Sequence, residues 1–213
     1  MNFDIFLNAV SKITNLPLPG QESHYKMAPL SRVRELKAKA LEKGDSRKAA
    51  VLMLCYPDEA NQTRFVLILR KKYPGVHSNQ VAFPGGKIEE NDKTLQETAL
   101  REANEEVGVN PSSIEILRSL TEVYIPPSNF LVYPFLGVTR DIPLFKPQED
   151  EVEDVIEVLL SDFLDDRTVF SQELTTSYAK KINVPAFKLN GHTVWGATAM
   201  MLNEVKDLLK SVY

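Results

Sequence analysis

Apolar residues along the chain follow two rhythms, unbroken runs of strand length and a helical spacing of three to four, with prolines and glycines between them. Phe3, Ile5, Phe6, Val10 and Ile13 sit at helical spacing and stop before Pro17, Pro19 and Gly20, which predicts a helix over 2–14. A second, strongly basic helix is expected over 31–43, ending at Gly44. Two strands follow, 49–56 and 64–70, joined by the hairpin-like loop 57–62. Further on, 114–124 and 130–138 read as strands around a turn at Pro126-Pro127-Ser128-Asn129, with a long helix, 95–107, before them. A strand near 155–160, a helical turn over 161–165 and a strand over 182–189 come next. Asn190-Gly191 is a favoured two-residue hairpin turn into a strand at 192–195. Met200, Met201, Val205, Leu208, Leu209 and Val212 then predict a helix over 197–212. Mixed strands with a few helices make an α+β or α/β sandwich, expected as one domain over 1–213 with a helical extension at about 1–48.

Composition narrows the class. At 213 residues, 43% hydrophobic and 25% charged, the chain has globular proportions and enough apolar surface for a sizeable core. No run approaches the ~18 apolar residues of a membrane helix. The start, Met1-Asn2-Phe3-Asp4-Ile5-Phe6, lacks both a basic signal-peptide region and a transit peptide's arginines, so no membrane partner and a cytoplasmic location are expected. A formal charge of −4, with Lys and Arg scattered, gives no electrostatic footprint for a nucleic acid, which leaves small molecules as the expected partners. The single cysteine, Cys55, excludes an intrachain disulfide, a zinc ribbon and a C-x-x-C pair, and its apolar neighbours predict a buried strand residue. His77 and His192 lack zinc spacing and read as hydrogen-bonded histidines, while Trp195 and Tyr124 read as core aromatics.

The stretch from Gly85 to Gly108 carries the chemistry. Thr94 followed by Glu97 is a capping box and Gly108 is a stop, so the helix boundaries are written in the sequence. At ~100° per residue, Leu95, Ala99, Leu100, Ala103 and Val107 share one arc, and Glu102, Glu105 and Glu106 share the arc beside it. Like charges at this spacing repel and, near a core, raise one another's pKa. A divalent cation such as Mg²⁺ or Mn²⁺ resolves that conflict, and so does a solvated acidic face offset by an Arg101–Glu97 pair. The spacing fits both. The preceding Phe83-Pro84-Gly85-Gly86 is either a plain turn or a loop whose glycines let a ligand approach the backbone. It is not a P-loop, because Ile88 replaces the required Ser or Thr and Val81 the first glycine.

Arg101-Glu102-Ala103-Asn104-Glu105-Glu106-Val107-Gly108-Val109 resembles the second half of the Nudix hydrolase box, G-x5-E-x7-R-E-U-x-E-E-x-G-U with U aliphatic. In the first half Asp92 replaces Glu and lies eight rather than seven residues before Arg101, which looks like the variant of the coenzyme A pyrophosphatase branch. The segment 77–86 resembles that branch's upstream signature, and 24–29, 67–70 and 194–199 extend the likeness over most of the chain. It departs at Lys71, where the branch has Ser or Ala, at Gly75, where it has Arg, and at Asn79, where it has Gly.

The resemblance implies a Nudix fold, a mixed sheet sandwiched between helices, and metal-dependent hydrolysis of a diphosphate. Glu102 and Glu106 are then the principal ligands of Mg²⁺ or Mn²⁺, Glu105 a third ligand or a water-positioning base, and Gly86 a carbonyl donor. Arg101 orients the carboxylates, and Glu151, in the acidic stretch after Pro147, is a further ligand or base. Phe83 is placed on the substrate side; by their position before the Gly-rich loop Arg70, Lys71 and Lys72 read either as a loop-edge basic patch or as a trio of which one meets a substrate phosphate. The expected substrate is coenzyme A or a derivative, cut to adenosine 3',5'-bisphosphate and 4'-phosphopantetheine, and a homodimer is allowed. The alternatives are another nucleoside diphosphate compound, such as ADP-ribose or a dinucleotide, and a non-catalytic ligand-sensing module, against which the intact glutamates argue. A calcium protein lacks its D-x-D-x-D-G loop.

Overall fold

The computed structural model describes residues 1–39, 45–74, 77–176 and 179–212. The apolar run in the first strand is buried along both of its faces, as a central strand demands. This strand, β1 (Arg47–Pro57), pairs in parallel with β7 (Phe130–Val138) from Arg47↔Phe130 to Cys55↔Val138. On its other edge it meets β2 (Thr63–Arg70) at Cys55↔Phe65 and β4 (Gly85–Lys87) at Val51↔Gly85. The mixed eight-stranded sheet is completed by β3 (Val81–Ala82), β5 (Glu115–Ser119), β6 (Val123–Ile125) and β8 (Val152–Leu159), the last antiparallel to β2.

Helices cover both faces. Alternate residues of β1, Leu52 and Leu54, pack with Val66 and Ile68 against Ala99, Ala103 and Val107 of α4 (Leu95–Val107). Met53 and Cys55 face the other way, with Phe65 and Leu67, into a core shared with α1 (Phe3–Ile13) and α6 (Gly196–Lys210). Cys55 is fully buried, as expected. Two short helices, α2 (Gln21–Tyr25) and α5 (Leu160–Leu164), and the basic α3 (Leu30–Lys39) complete the helical layers. The end expected for that basic helix at Gly44 lies outside the described residues.

A three-stranded antiparallel sheet, β9 (Val169–Thr176), β10 (Ala179–Leu189) and β11 (His192–Trp195), was foreseen only in its last two strands. Asn190 (φ 46°) and Gly191 (φ 82°) make the tight turn between them. The strand expected over 114–124 is instead split into β5 and β6, because the Thr121 amide leaves the ladder and donates to Glu204 Oε2 at 3.0 Å. Among the described residues no helix is long and apolar enough to cross a membrane.

Candidate active site

Helix α4 begins where the capping box placed it: the Glu97 amide donates to Thr94 Oγ1 at 3.1 Å. The Glu97 carboxylate reaches back to the Lys93 amide at 2.8 Å, one residue short of the cap itself. That bond removes Glu97 from Arg101, so the offsetting i,i+4 pair does not form. Gly108, at φ 75°, ends the helix in the left-handed conformation.

Arg101 is instead a hub. Its Nε and Nη2 donate to the two oxygens of Asp92 at 3.0 Å each, its Nη1 to Glu102 and Glu105 at 3.0 Å, and its Nη2 also to the Lys87 carbonyl at 3.1 Å. Asp92 further accepts from Thr98 Oγ1 at 3.0 Å and the Glu89 amide at 2.9 Å. The residue added between Asp92 and Arg101 is therefore absorbed by a loop that closes on the arginine. Asp92 acts on the carboxylates through Arg101.

Glu106 is 1% exposed. Its Oε2 accepts from the Gly85 amide at 2.8 Å and its Oε1 from Arg70 Nη1 at 3.3 Å. Burial pushes its carboxyl up to about 7; the Gly85 amide and Arg70 oppose the rise, and the charges of Glu102 and Glu151 add to it. Glu102 is likewise raised by burial, against the Arg101 charge, with Glu105 and Glu151 reinforcing. Glu151, from a different element, thus lies within electrostatic reach of both. Its carbonyl is fixed by the Lys71 amide at 2.9 Å, and its loop is fastened to α4 where the Gln148 and Lys146 amides donate to the Glu106 and Val107 carbonyls at 3.0 and 2.9 Å.

Among the described residues no three acidic, histidine or cysteine side chains stand ready-made around a cation, because the arginines hold the glutamates. The donor set nevertheless fits one. It offers hard carboxylate oxygens, those of Glu102 and Glu106 on groups whose burial disfavours their charge, and a backbone approach kept open at Gly86, where a Cβ would lie 2.5 Å from the Glu102 oxygens.

Beside these carboxylates opens a cleft of about 350 Å³ whose walls include Arg70, Tyr73, His77, Gly85, Gly86 and Trp195. Phe83, almost fully buried, also lines it. Of the basic trio, Arg70 lines the cleft and Lys71 and Lys72 do not, since β2 ends at Arg70 and the next residues enter a loop. Lys87 supplies a cation that sequence reasoning missed. Trp195 is a correction: it is half-buried on the cleft wall rather than in the core, because the chain turns at Gly196 (φ 66°) from β11 into α6. His77 Nδ1 lies 3.3 Å from Gln80 Oε1, and His192 Nε2 3.7 Å from Asp154, so both have polar partners. Asn79, which replaces the branch glycine, adopts φ 56° and so keeps the left-handed backbone that glycine favours. Gly75 lies outside the described residues.

A family model for the NUDIX domain matches residues 46–177. The chain belongs to the NUDIX family. It is similar to Nudix hydrolase 15, mitochondrial, of Arabidopsis thaliana, 34% identical over 162 residues that cover 73% of this chain and 56% of the relative. It is also similar to a peroxisomal coenzyme A diphosphatase of Caenorhabditis elegans, 29% identical over 174 residues, 81% of this chain and 73% of the relative. The chain thus spans little more than half of the plant protein's length. A solved Nudix hydrolase from M. smegmatis, RenU, shares the fold with a TM-score of 0.54 at 14% identity, over 79% of this chain and 88% of that one. The two relatives' names place those proteins in mitochondria and peroxisomes, which lends no support to the cytoplasmic expectation.

Proposed function

We propose that the chain is a divalent-cation-dependent pyrophosphohydrolase, with coenzyme A or a derivative as its diphosphate, cut to adenosine 3',5'-bisphosphate and 4'-phosphopantetheine. The observation that carries this reading is the convergence of two α4 carboxylates on the Gly85–Gly86 edge of an open cleft: Glu106 accepts from the Gly85 amide, and the Glu102 carboxylate fills the space a Cβ would take at Gly86. Glu102 and Glu106 would hold Mg²⁺ or Mn²⁺, with the Gly86 carbonyl and Glu105 as further donors. The bound cation would acidify water and neutralise charge on the diphosphate. Arg101, anchored by Asp92, keeps Glu102 and Glu105 in place, and Glu105 or Glu151 takes the proton from the attacking water. Arg70 offers a fork of donors to the phosphate oxygens, and Trp195 gives the rest of the substrate apolar surface, with Phe83 packed behind the cleft wall.

The coenzyme A assignment is supported by the similarity to a relative named as a coenzyme A diphosphatase. With Arg70 beside Glu106 and Lys71 and Lys72 off the cleft lining, recognition of the 3'-phosphate falls to Lys87. One experiment tests chemistry and substrate together: turnover of coenzyme A, dephospho-coenzyme A and ADP-ribose with Mg²⁺, products identified by mass, for the wild type and Glu106→Gln. Coenzyme A should lead dephospho-coenzyme A in kcat/KM by about ten- to a hundredfold, the worth of one charge-assisted bond. Glu106→Gln should lose most activity and keep its thermal stability. Unchanged turnover in that variant removes the metal assignment, and faster cleavage of ADP-ribose removes the coenzyme A assignment alone.

A further inference from the structure

Two arginines neutralise the glutamates of this site, and they do so differently. Arg101 makes a two-pronged pair with Asp92, both bonds at 3.0 Å, and spends its remaining donors on Glu102, Glu105 and the Lys87 carbonyl. It is a finished structural unit. Among the described residues Arg70 makes one long bond, Nη1 to Glu106 Oε1 at 3.3 Å, while its Nε is buried with no hydrogen-bond partner among them. A buried donor left unmade is costly, and a planar fork of five donors is suited to a bidentate anion. The Arg70 side chain is 26% exposed and lines the cleft; its charge acts on Glu106 on one side and on His77 of the cleft wall on the other. It stands at the junction between the carboxylates and the space for substrate.

Building on the reading of Glu106 as a cation ligand, we propose that Arg70 is a competing counter-ion: it occupies Glu106 in the metal-free protein and transfers to the diphosphate when substrate enters, which frees Glu106 for the cation. Diphosphate and cation then bind with positive coupling, and the coupling is reciprocal. Arg70 carries two functions of opposite sign. It weakens metal binding in the absence of substrate and strengthens substrate binding in the presence of metal.

The test is a titration of the full chain with Mn²⁺ alone, free Mn²⁺ being read by electron paramagnetic resonance, alongside KM for the substrate. Arg70→Gln should bind Mn²⁺ about three- to tenfold more tightly than the wild type while its KM rises about tenfold. Arg70→Lys, which keeps the charge without the fork, should tighten Mn²⁺ binding by a smaller factor. A rise in KM with Mn²⁺ affinity unchanged would make Arg70 a phosphate ligand only and overturn the proposal. Weaker Mn²⁺ binding in a variant that melts like the wild type would also overturn it. If Arg70→Gln does not fold, Arg70→Lys decides, since binding no tighter than wild type is then the refuting result. Glu106→Gln separates the two layers of inference. If it leaves Mn²⁺ affinity untouched, the ligand reading itself is wrong; if it abolishes binding while the Arg70 variants change nothing, the competition alone is wrong.

Discussion

A Cβ added at Gly85 would press into the Ala50 carbonyl and lie 2.6 Å from the Val51 Cα, at a φ of 153° that side chains rarely adopt. The three atoms nearest to one added at Gly86 all belong to the Glu102 carboxylate, the far end of a side chain. Adjacent glycines therefore answer to different demands, and alanine should separate them. Gly85→Ala is expected to lose the fold or lower its melting point by many degrees, whereas Gly86→Ala should melt within about 3 °C of wild type and lose activity as Glu102 is displaced. Melting curves and turnover on the same two variants check this. Asp92 gives a second residue-level expectation. The Arg101 fork holds its carboxyl down at about 2 against an ordinary 3.8, so its stabilisation, at most about 2 kcal/mol, is present above pH 3.8 and lost as pH falls through about 2. Asp92→Asn should lower turnover on the order of tenfold and flatten the acid limb of the stability curve. A variant with an acid limb as steep as wild type would remove Asp92 as its cause. The glutamates were legible because helical spacing alone collects Glu102, Glu105 and Glu106 on one arc. Arg70 against Glu106 and Trp195 on the cleft wall were not, since each depends on elements brought together from distant parts of the chain.

Among the elements, α4 was readable to the residue, its start set by Thr94 and its stop by Gly108, because caps are local chemistry. The β1–β2 and β10–β11 pairs were equally plain, the first from apolar runs and the second from the Asn190-Gly191 turn. What failed was non-local. Strand β9, Val-Phe-Ser-Gln-Glu-Leu-Thr-Thr, carries no apolar run and owes its conformation to pairing with β10 along one edge. The break between β5 and β6 could not be seen either, because the group that draws the Thr121 amide out of the ladder lies on α6. The parallel pairing of β1 with β7 likewise leaves no mark in either strand, since both are simply apolar.

At the scale of the whole molecule, the segment matched by the family, 46–177, is enclosed by parts outside it. Helices α1 and α6 pack on the same face of the sheet, and Glu204 of α6, fully buried, binds two separate regions, the start of α2 and the loop between β5 and β6. It accepts from the Gly20 amide at 3.1 Å, from the Thr121 amide and Oγ1 at 3.0 and 2.6 Å, and lies 3.3 Å from His24 Nε2. Glu204→Ala would strand all of these donors at once, costing about 3 kcal/mol or more and about 6–12 °C of melting temperature, while Glu204→Gln should cost less. A shift under about 2 °C for the alanine variant would show that the cluster does not hold these regions together. The same glutamate sets a timetable. His24 and Glu204 are 180 residues apart in sequence, so at roughly 5–20 residues per second the ribosome supplies the acceptor about ten to forty seconds after the donor. Throughout that interval Phe3, Phe6 and Ile13 have no α6 to cover them, and the newborn chain depends on whatever shields apolar surface until that helix arrives.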